Sequence, residues 1–160
     1  MKTFETIFLF IIFAFSSCTA YSQKPKVIKI ADGDSFTVLY PDKHTERIRL
    51  HGIDCPESDQ PFSKTAKKFT SQLIFNKEVT LVKKGIDRYG RTVALVYFND
   101  SMLLNTELLK SGLAWHFTRY DKNQQWEKLE EEARKNRKGL WAGSQEPVAP
   151  WFWRKNKKNL

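Results

Sequence analysis

Residues 48–57 read I-R-L-H-G-I-D-C-P-E, and within them an apolar strand gives way to acidic side chains. The apolar residues alternate with polar ones, so Arg49 lies on the face of the strand opposite the apolar side chains. Asp54 and Glu57 follow on either side of a Cys-Pro step, where the proline stiffens the turn. The stretch therefore predicts a strand that ends at a charged site.

The segments around this stretch predict a strand-rich domain with added helices. Five runs of β-branched, aromatic and aliphatic residues between turns indicate strands at 27–31, 36–40, 46–53, 78–82 and 92–98. Helical spacing of apolar residues follows Pro61, recurs in 103–110, and recurs again after Asp121, which with Gln124 resembles a capping box. Five short strands with a helix inserted after the third favour a small closed barrel of the OB type. The predicted fold class is α+β with three α-helices.

The composition indicates one globular domain with a basic surface. The chain has 160 residues, enough for a single core, and 27 basic against 18 acidic residues give a net charge of +9. This balance favours a polyanionic partner such as nucleic acid, although surface charge for solubility gives the same number. Two cysteines are present in all, which excludes a disulfide framework and a structural zinc site built on cysteines. We expect a monomer.

The N-terminal segment has the order of charged, apolar and small residues that is typical of a secretory signal. A lysine precedes the apolar run 7–15, and S-S-C-T-A-Y-S-Q follows it. The run is shorter than the roughly 20 apolar residues that a membrane span needs. Cleavage after Ala20 or Ser22 would release a secreted or periplasmic protein. Alternatively, F-S-S-C is a loose lipoprotein box, and Cys18 would become a lipidated first residue that anchors the protein.

Carboxylates and arginines carry the candidate chemistry. Asp34 ends a D-G-D turn, and two carboxylates that converge from this turn and from Asp54 make an oxygen site for a hard cation such as Ca²⁺. Arg49 and Arg91 offer planar forks that bind a phosphate bidentately. Glu57 is placed to orient or deprotonate a water molecule. Together these groups are what phosphodiester hydrolysis needs, because that reaction depends on positioning and on neutralising charge at phosphorus.

Four separated motifs and the end of the last predicted helix resemble the staphylococcal nuclease (thermonuclease) family. The motifs are A-D-G-D-S-F-T-V at 31–38, I-R-L-H-G-I-D-C-P-E at 48–57, D-R-Y-G-R at 87–91 and L-L-K-S-G-L-A-W at 108–115, and the helix ends N-R-K-G-L-W. The resemblance runs from about Lys26 to Trp141. It implies an OB-fold barrel with three helices. It also implies a Ca²⁺-dependent nuclease that cuts DNA and RNA to leave 3′-phosphate ends.

The resemblance assigns a role to each matching charged residue. Asp34 and Asp54 would bind the metal through their carboxylates. Cys55 would bind it through its backbone carbonyl, where the family's best-known member has a threonine. A carbonyl is nearly indifferent to its side chain, so this difference should be harmless. Arg49 and Arg91 would hold the scissile phosphate.

The resemblance also covers the attacking water and the nucleotide pocket. Glu57 would act on the water as a base or as an orienter, a choice that the resemblance leaves open. Tyr89 and Tyr120 resemble aromatic residues that line the nucleotide pocket. The loop after Glu57, S-D-Q-P-F, is shorter than the lysine-rich flap of the best-known member, which bears on substrate affinity.

The chain is predicted to divide into a signal peptide at 1–22, a nuclease-like OB-fold domain at 25–142 and a basic aromatic tail at 143–160. Two interpretations of the tail stay open: its aromatic residues cover the barrel, or it contacts nucleic acid by stacking and charge. For the domain, the alternative function is a non-catalytic OB-type nucleic-acid-binding domain. A pure binder would not need the full set of acids and arginines.

The mature protein is predicted to begin near Tyr21 or Gln23, without lipid, because signal peptidase would cut after Ala20 or Ser22. Intact mass and N-terminal sequencing of protein recovered outside the host cytoplasm check this. A mass that starts at Cys18 and includes acyl chains would establish the lipoprotein form instead.

Overall fold

The computed structural model describes residues 24–158; the predicted signal peptide lies outside the described residues. The strands are β1 (Lys26–Ile30), β2 (Ser35–Leu39), β3 (Thr45–Leu50), β4 (Ile53–Asp54), β5 (Thr80–Ile86), β6 (Thr92–Phe98), β7 (Met102–Leu103) and β8 (Trp115–His116). The helices are α1 (Ser63–Ile74), α2 (Leu104–Lys110), α3 (Gln124–Lys135) and α4 (Pro150–Lys158), with one 3₁₀ turn at Gly139–Ala142. The predicted α+β class is confirmed.

The main sheet is open, with β1 and β5 at its two ends. Its strand order is β1-β2-β3-β6-β5, with β7 added to β6. Strands β3 and β6 run parallel, and the other neighbours run antiparallel. The backbone of β1 and Pro25 meets residues 76–79 through three hydrogen bonds and one bridge, but this pairing ends before β5 begins. The closed OB-type barrel predicted from the sequence is therefore wrong, and the strands form an open six-stranded sheet.

A glycine divides the third predicted strand into two. Gly52 has a φ of 67°, in the left-handed region that glycine adopts without strain, so β3 ends at Leu50 and the chain turns. Ile53 and Asp54 then form β4, which pairs with β8 in a separate two-stranded sheet. The turn therefore carries Asp54 out of the main sheet while keeping it next to the end of β3.

The described residues contain four α-helices, whereas the sequence predicted three. The additional helix, α4, lies in the segment that was expected to be a tail. Helix α3 begins after Asn123, whose side chain accepts the N–H of Gln125 at 2.9 Å. Asp121, the predicted cap, instead accepts the N–H of Asn123 at 2.8 Å, so the predicted capping box is wrong. Among residues 24–158, no helix is long and apolar enough to cross a membrane.

Two apolar cores hold the elements together. The main core lies between the sheet and helices α1 and α2; its largest fully buried side chains include Phe36, Ile48, Phe98, Leu104 and Leu108. A second core gathers residues from the later part of the chain: Trp115, Ala133, Leu140, Trp141 and Ala149, with Trp151 packed against them. Helix α4 is thus attached to α3 and β8 through apolar contacts at its beginning.

The D-G-D turn between β1 and β2 packs tightly against α1. The hydroxyl of Thr70 in α1 donates a buried hydrogen bond of 2.6 Å to the carbonyl oxygen of Gly33. A Cβ atom at Gly33 would lie 2.8 Å from Cβ of Ala66 and 2.9 Å from Cβ and Sγ of Cys55. Only glycine fits at this contact, which sets the position of Asp34 relative to Cys55.

Gly33→Ala is predicted to destabilise the fold by about 1–3 kcal/mol, because overpacking of a close contact forces its neighbours apart. Denaturant unfolding of the parent and the variant measures the difference. Gly143→Ala is the matched control: its new Cβ would meet atoms at an ordinary 3.9 Å, and the residue has a φ of -75°. Equal losses of stability in the two variants would contradict the tight packing of the turn.

Candidate active site

The carboxylate of Asp34 joins two loops of the structure. It lies in the turn between β1 and β2 and is 5 % exposed. Its Oδ2 atom accepts the backbone N–H of Cys55 at 2.6 Å, although 21 positions separate the two residues. The N–H of Asp34 in turn donates to Oδ1 of Asp32 at 3.1 Å, which closes the turn. The loop after β4 is therefore fixed against the D-G-D turn by a buried charged acceptor.

Arg49 lies between the two predicted metal carboxylates. It stands on β3 opposite Ser35 of β2, and its side chain is 14 % exposed. One terminal nitrogen, Nη1, pairs with Oδ2 of Asp34. The other, Nη2, donates to Oδ1 of Asp54 at 2.5 Å. Asp34 and Asp54 thus converge on a single guanidinium group from two different loops.

Arg91 reaches the cluster through one intermediate residue. Its Nε donates to Oδ2 of Asp87 at 2.7 Å, and its Nη1 donates to the hydroxyl of Ser35 at 3.1 Å. That hydroxyl donates onward to Oδ1 of Asp34 at 3.2 Å. The guanidinium of Arg91 is thereby oriented beside the acids without contacting the carboxylate of Asp54 or Asp34 directly in these bonds.

Glu57 enters the site from the loop after β4. Its backbone N–H donates to Oε1 of Gln60 at 2.8 Å, and Nε2 of Gln60 donates to the carbonyl oxygen of Val148 at 2.8 Å. Gln60 is 6 % exposed, so this amide fixes the loop from within. The carboxylate of Glu57 accepts a hydrogen bond of 2.5 Å from Nη1 of Arg154.

Arg154, like Gln60, is a site residue that the sequence analysis did not predict. It lies on α4, and its Nη2 atom donates to Oδ2 of Asp54 at 2.8 Å, so that its guanidinium bridges Asp54 and Glu57. The tail carried a usable signal, because Pro150 suits the first position of a helix and no glycine or proline follows it through Lys158. A helix predicted there would have assigned its basic residues to particular helix faces, but it would not have identified Asp54 and Glu57 as the partners of Arg154.

Acidic groups outnumber cationic ones in the cluster that these contacts join. It contains four acids, Asp32, Asp34, Asp54 and Glu57, and three arginines, Arg49, Arg91 and Arg154. Burial raises the pKa of Asp32 to about 7, and the charge of Asp34 adds to the shift. Burial also raises the pKa of Asp54, against the opposing charge of Arg49. For Asp34, burial is the largest effect and acts to raise the pKa, but the charge of Arg49 and the hydrogen bonds to the carboxylate together outweigh it, and the pKa is lowered. The site therefore holds more buried carboxylate than its arginines neutralise.

This excess of negative charge fits a hard cation. Asp34 and Asp54 supply carboxylate oxygens, which are the ligands that Ca²⁺ prefers. Cys55 has its backbone beside Asp34, and burial raises the pKa of its thiol well above the ordinary value, so the thiol stays protonated. Within residues 24–158, no group of three or more His, Cys, Asp or Glu side chains is arranged to hold a metal ion. Two carboxylates, with backbone oxygen and water, are the set that this chain offers.

The two predicted nucleotide-pocket tyrosines are both exposed. Tyr89 is 57 % exposed, and the guanidinium carbon of Arg91 lies 5.5 Å from its ring centre. Tyr120 is 64 % exposed and lies edge-on to Phe117, with ring centres 5.0 Å apart. Phe117 also stacks on Trp151 of α4, at 4.7 Å and nearly parallel. Tyr89 therefore lies beside the site arginine Arg91, whereas Tyr120 is linked to α4 only through Phe117.

The sequence of this chain is similar to a protein family and to bacterial proteins that are all named as nucleases or endonucleases. A family described as "Staphylococcal nuclease homologue" matches residues 47–143. An uncharacterized endonuclease of Haemophilus influenzae is 36% identical over 157 residues, which cover 98% of this chain and 87% of the relative. A micrococcal nuclease of Shigella flexneri is 38% identical over 146 residues, which cover 84% of this chain and 82% of the relative.

Similarity extends to longer plant proteins. A staphylococcal-like nuclease of Arabidopsis thaliana is 46% identical over 112 residues, which cover 70% of this chain and 34% of the relative. The chain thus spans about a third of the plant relative's length but more than four-fifths of the two bacterial ones.

Asp32→Asn is predicted to raise stability at pH 8 and to leave it unchanged near pH 4, in buffer with a chelator. The unfolded chain releases the Asp32 proton near pH 4, whereas the folded protein keeps it until about pH 7. The parent therefore loses stability as the pH rises between these values, and an amide removes that loss. We expect a gain of at least about 1 kcal/mol at pH 8, the scale of one pKa unit.

Chemical unfolding at pH 4, 6 and 8 measures this gain. Asp100→Asn is the matched control, because the Asp100 side chain is 99 % exposed. A pH-independent difference between Asp32→Asn and the parent would show that Asp32 titrates normally in the folded protein.

Proposed function

Because the chain belongs to the staphylococcal nuclease family, we propose that it is a calcium-dependent nuclease that hydrolyses phosphodiester bonds of DNA and RNA and leaves 3′-phosphate ends. The observation that carries this proposal is the convergence of Asp34 and Asp54 on the guanidinium of Arg49. Buried acids beside an arginine fork form a site for a cation and a phosphate together.

The acids provide the metal-binding half of the site. Asp34 and Asp54, with the backbone carbonyl of Cys55, would hold Ca²⁺, which supplies positive charge to the phosphate oxygens. The hydrogen bond from the N–H of Cys55 to Asp34 keeps this backbone beside the acid. The D-G-D turn is itself fixed by Thr70, so the ligands are held in place before the ion binds.

The arginines provide the phosphate-binding half. Arg49 contacts both acids, and a substrate phosphate would accept hydrogen bonds from the same planar guanidinium group. Arg91 is oriented by Asp87 and Ser35, so its fork does not have to be ordered when the substrate binds. Fixed donors of this kind stabilise charge that develops at phosphorus without having to reorganise during the reaction.

Glu57 handles the attacking water in this proposal. The carboxylates of Glu57 and Asp54 both contact the guanidinium of Arg154. The side chain of Glu57 is 35 % exposed, so water can approach it. As a general base it would take the proton of the water at a carboxylate oxygen; as an orienter it would only accept a hydrogen bond. In either role it must be ionised and correctly directed.

The alternative function is a non-catalytic nucleic-acid-binding domain. Binding of a phosphate backbone is served by exposed basic residues. It gains nothing from the carboxylates of Asp34 and Asp54, which are 5 % and 1 % exposed and lie beside one another. Such burial of like charges costs stability, which favours a catalytic use of the acids. We further propose that the protein acts as a secreted or periplasmic monomer.

Digestion of single- and double-stranded DNA and of RNA tests the proposed activity. We expect cleavage with Ca²⁺ and none with excess chelator. The 3′ ends of the products should become substrates for enzymes that need a free 3′ hydroxyl only after a phosphatase has removed the 3′ phosphate. Asp54→Asn keeps the shape of the side chain but removes a metal ligand charge, and it should abolish cleavage at moderate Ca²⁺. Asp100→Asn makes the same chemical change at an exposed position and should cleave like the parent. Undiminished cleavage in chelator would exclude the calcium-dependent mechanism.

Arg49→Lys and Arg91→Lys are each predicted to lower the rate by roughly 10²-fold or more, the scale seen when one preorganised donor is removed. Lysine keeps the charge but loses the planar fork. Steady-state rates with a defined oligonucleotide measure the effect, with the exposed Arg137→Lys as the matched control. Near-parental rates for either site variant would show that the arginine at that position contributes only its positive charge.

A further inference from the structure

We propose that Arg154, supplied by α4, is a positioning residue that fixes the carboxylate of Glu57 for catalysis. The inference rests on the proposed nuclease function. The family match ends at residue 143, so α4 lies outside the matched residues.

The guanidinium of Arg154 joins two acids that come from different segments. Its Nη1 donates to Oε1 of Glu57 at 2.5 Å, and its Nη2 donates to Oδ2 of Asp54 at 2.8 Å. The two nitrogens of a guanidinium are held in a rigid plane, so the separation of the two carboxylates is set by the fork. A flexible ammonium group would not set that separation.

Glu57 needs such a contact more than Asp54 does. Asp54 is already held by Arg49 and is 1 % exposed. For Glu57, the bond to Gln60 fixes the backbone, whereas the side chain is 35 % exposed and carries the same charge as Asp54. Without a cation between them, the two carboxylates would repel each other, and that of Glu57 would turn toward solvent.

Helix α4 is built into the protein and is not a loosely attached plug over the site. The indole N–H of Trp153 donates to Asp59 at 3.1 Å, and Lys157 pairs with the same carboxylate. At its beginning, Ala149 belongs to the second core, and Trp151 stacks on Phe117 at 4.7 Å. These contacts are independent of Arg154. A segment that inhibits by occupying the site has to leave it, and the apolar contacts at the beginning of α4 oppose departure.

Arg154 contacts Oε1 of Glu57, so the second carboxylate oxygen is the one that would face the water. In this arrangement Arg154 touches neither the substrate nor the water. Because Asp54 keeps its bond to Arg49, the loss of Arg154 should reach the reaction mainly through Glu57. The loss of Arg154 should therefore lower kcat while KM changes little, because the phosphate-binding arginines remain.

The test measures kcat and KM for Arg154→Ala, Arg154→Gln and Arg154→Lys in the full chain with Ca²⁺. We expect Ala and Gln to lower kcat by roughly 10²-fold, the loss expected from a misplacement of about 1 Å, and Lys to recover part of it through its charge. Lys155→Ala removes one charge from an exposed neighbour on α4 and should leave kcat unchanged. Thermal unfolding checks that each variant is folded. If Arg154→Ala does not fold, the kinetics of Arg154→Gln decide the result.

A double-mutant cycle with Glu57→Gln separates positioning from other roles. If Arg154 acts through Glu57, adding Arg154→Ala to Glu57→Gln should change the residual rate by less than about threefold, because coupled residues are not additive. A full loss in both backgrounds would assign Arg154 a separate role and overturn the proposal. A faster Arg154→Ala enzyme would overturn it as well, because α4 would then be inhibitory.

A crystal structure of Arg154→Ala gives a readout that does not depend on activity. We expect the carboxylate of Glu57 to leave the position beside Asp54 while the backbone of the loop stays in place. An unmoved Glu57 carboxylate would refute the positioning role. If the parent cleaves no nucleic acid with any divalent cation, the proposed nuclease function fails, and this structural result still decides whether Arg154 positions Glu57.

Discussion

The buried hydrogen bond between the carboxylate of Asp34 and the backbone N–H of Cys55, 2.6 Å long, is the contact on which the site depends. It fastens the turn between β1 and β2 to the loop that carries Glu57. The close approach of Gly33 to Cys55 makes the bond possible, and Thr70 holds the turn from the other side. A carboxylate that accepts a backbone donor is a stronger acceptor than a neutral group, so the two loops behave as one unit.

The charges of the cluster are partly balanced by groups from distant parts of the chain. Arg49 comes from the middle of the sheet, whereas Arg154 lies 100 positions after Asp54. Between them, these two guanidinium groups contact Asp34, Asp54 and Glu57. Burial of the acids still costs free energy, as the raised pKa of Asp32 and Asp54 indicates. A functional site commonly retains such a cost, because the same excess of charge is what attracts a cation.

The sequence predicted local features well and long-range partners poorly. The alternation in β3 placed Arg49 on the polar face, and the strand at Thr92–Phe98 was found at its correct bounds, because both follow from side-chain periodicity. Barrel closure was not predictable, because a strand pattern does not specify which sheet edges meet. Gln60 and Arg154 were missed for the same reason: their partners lie 88 and 97 positions away, and no local pattern records a contact of that kind.

Helix α4 also has a consequence for the order in which the protein is made. Translation produces β4 and its acids long before it produces Arg154, which follows Glu57 by 97 positions. A chain that has not yet reached α4 lacks the cation that bridges Asp54 and Glu57. If Arg154 positions Glu57 as proposed, full chemical competence is delayed until nearly all the described residues have been translated. For a protein that would attack nucleic acid, this delay limits the time during which a competent nascent chain is present beside the messenger RNA that encodes it.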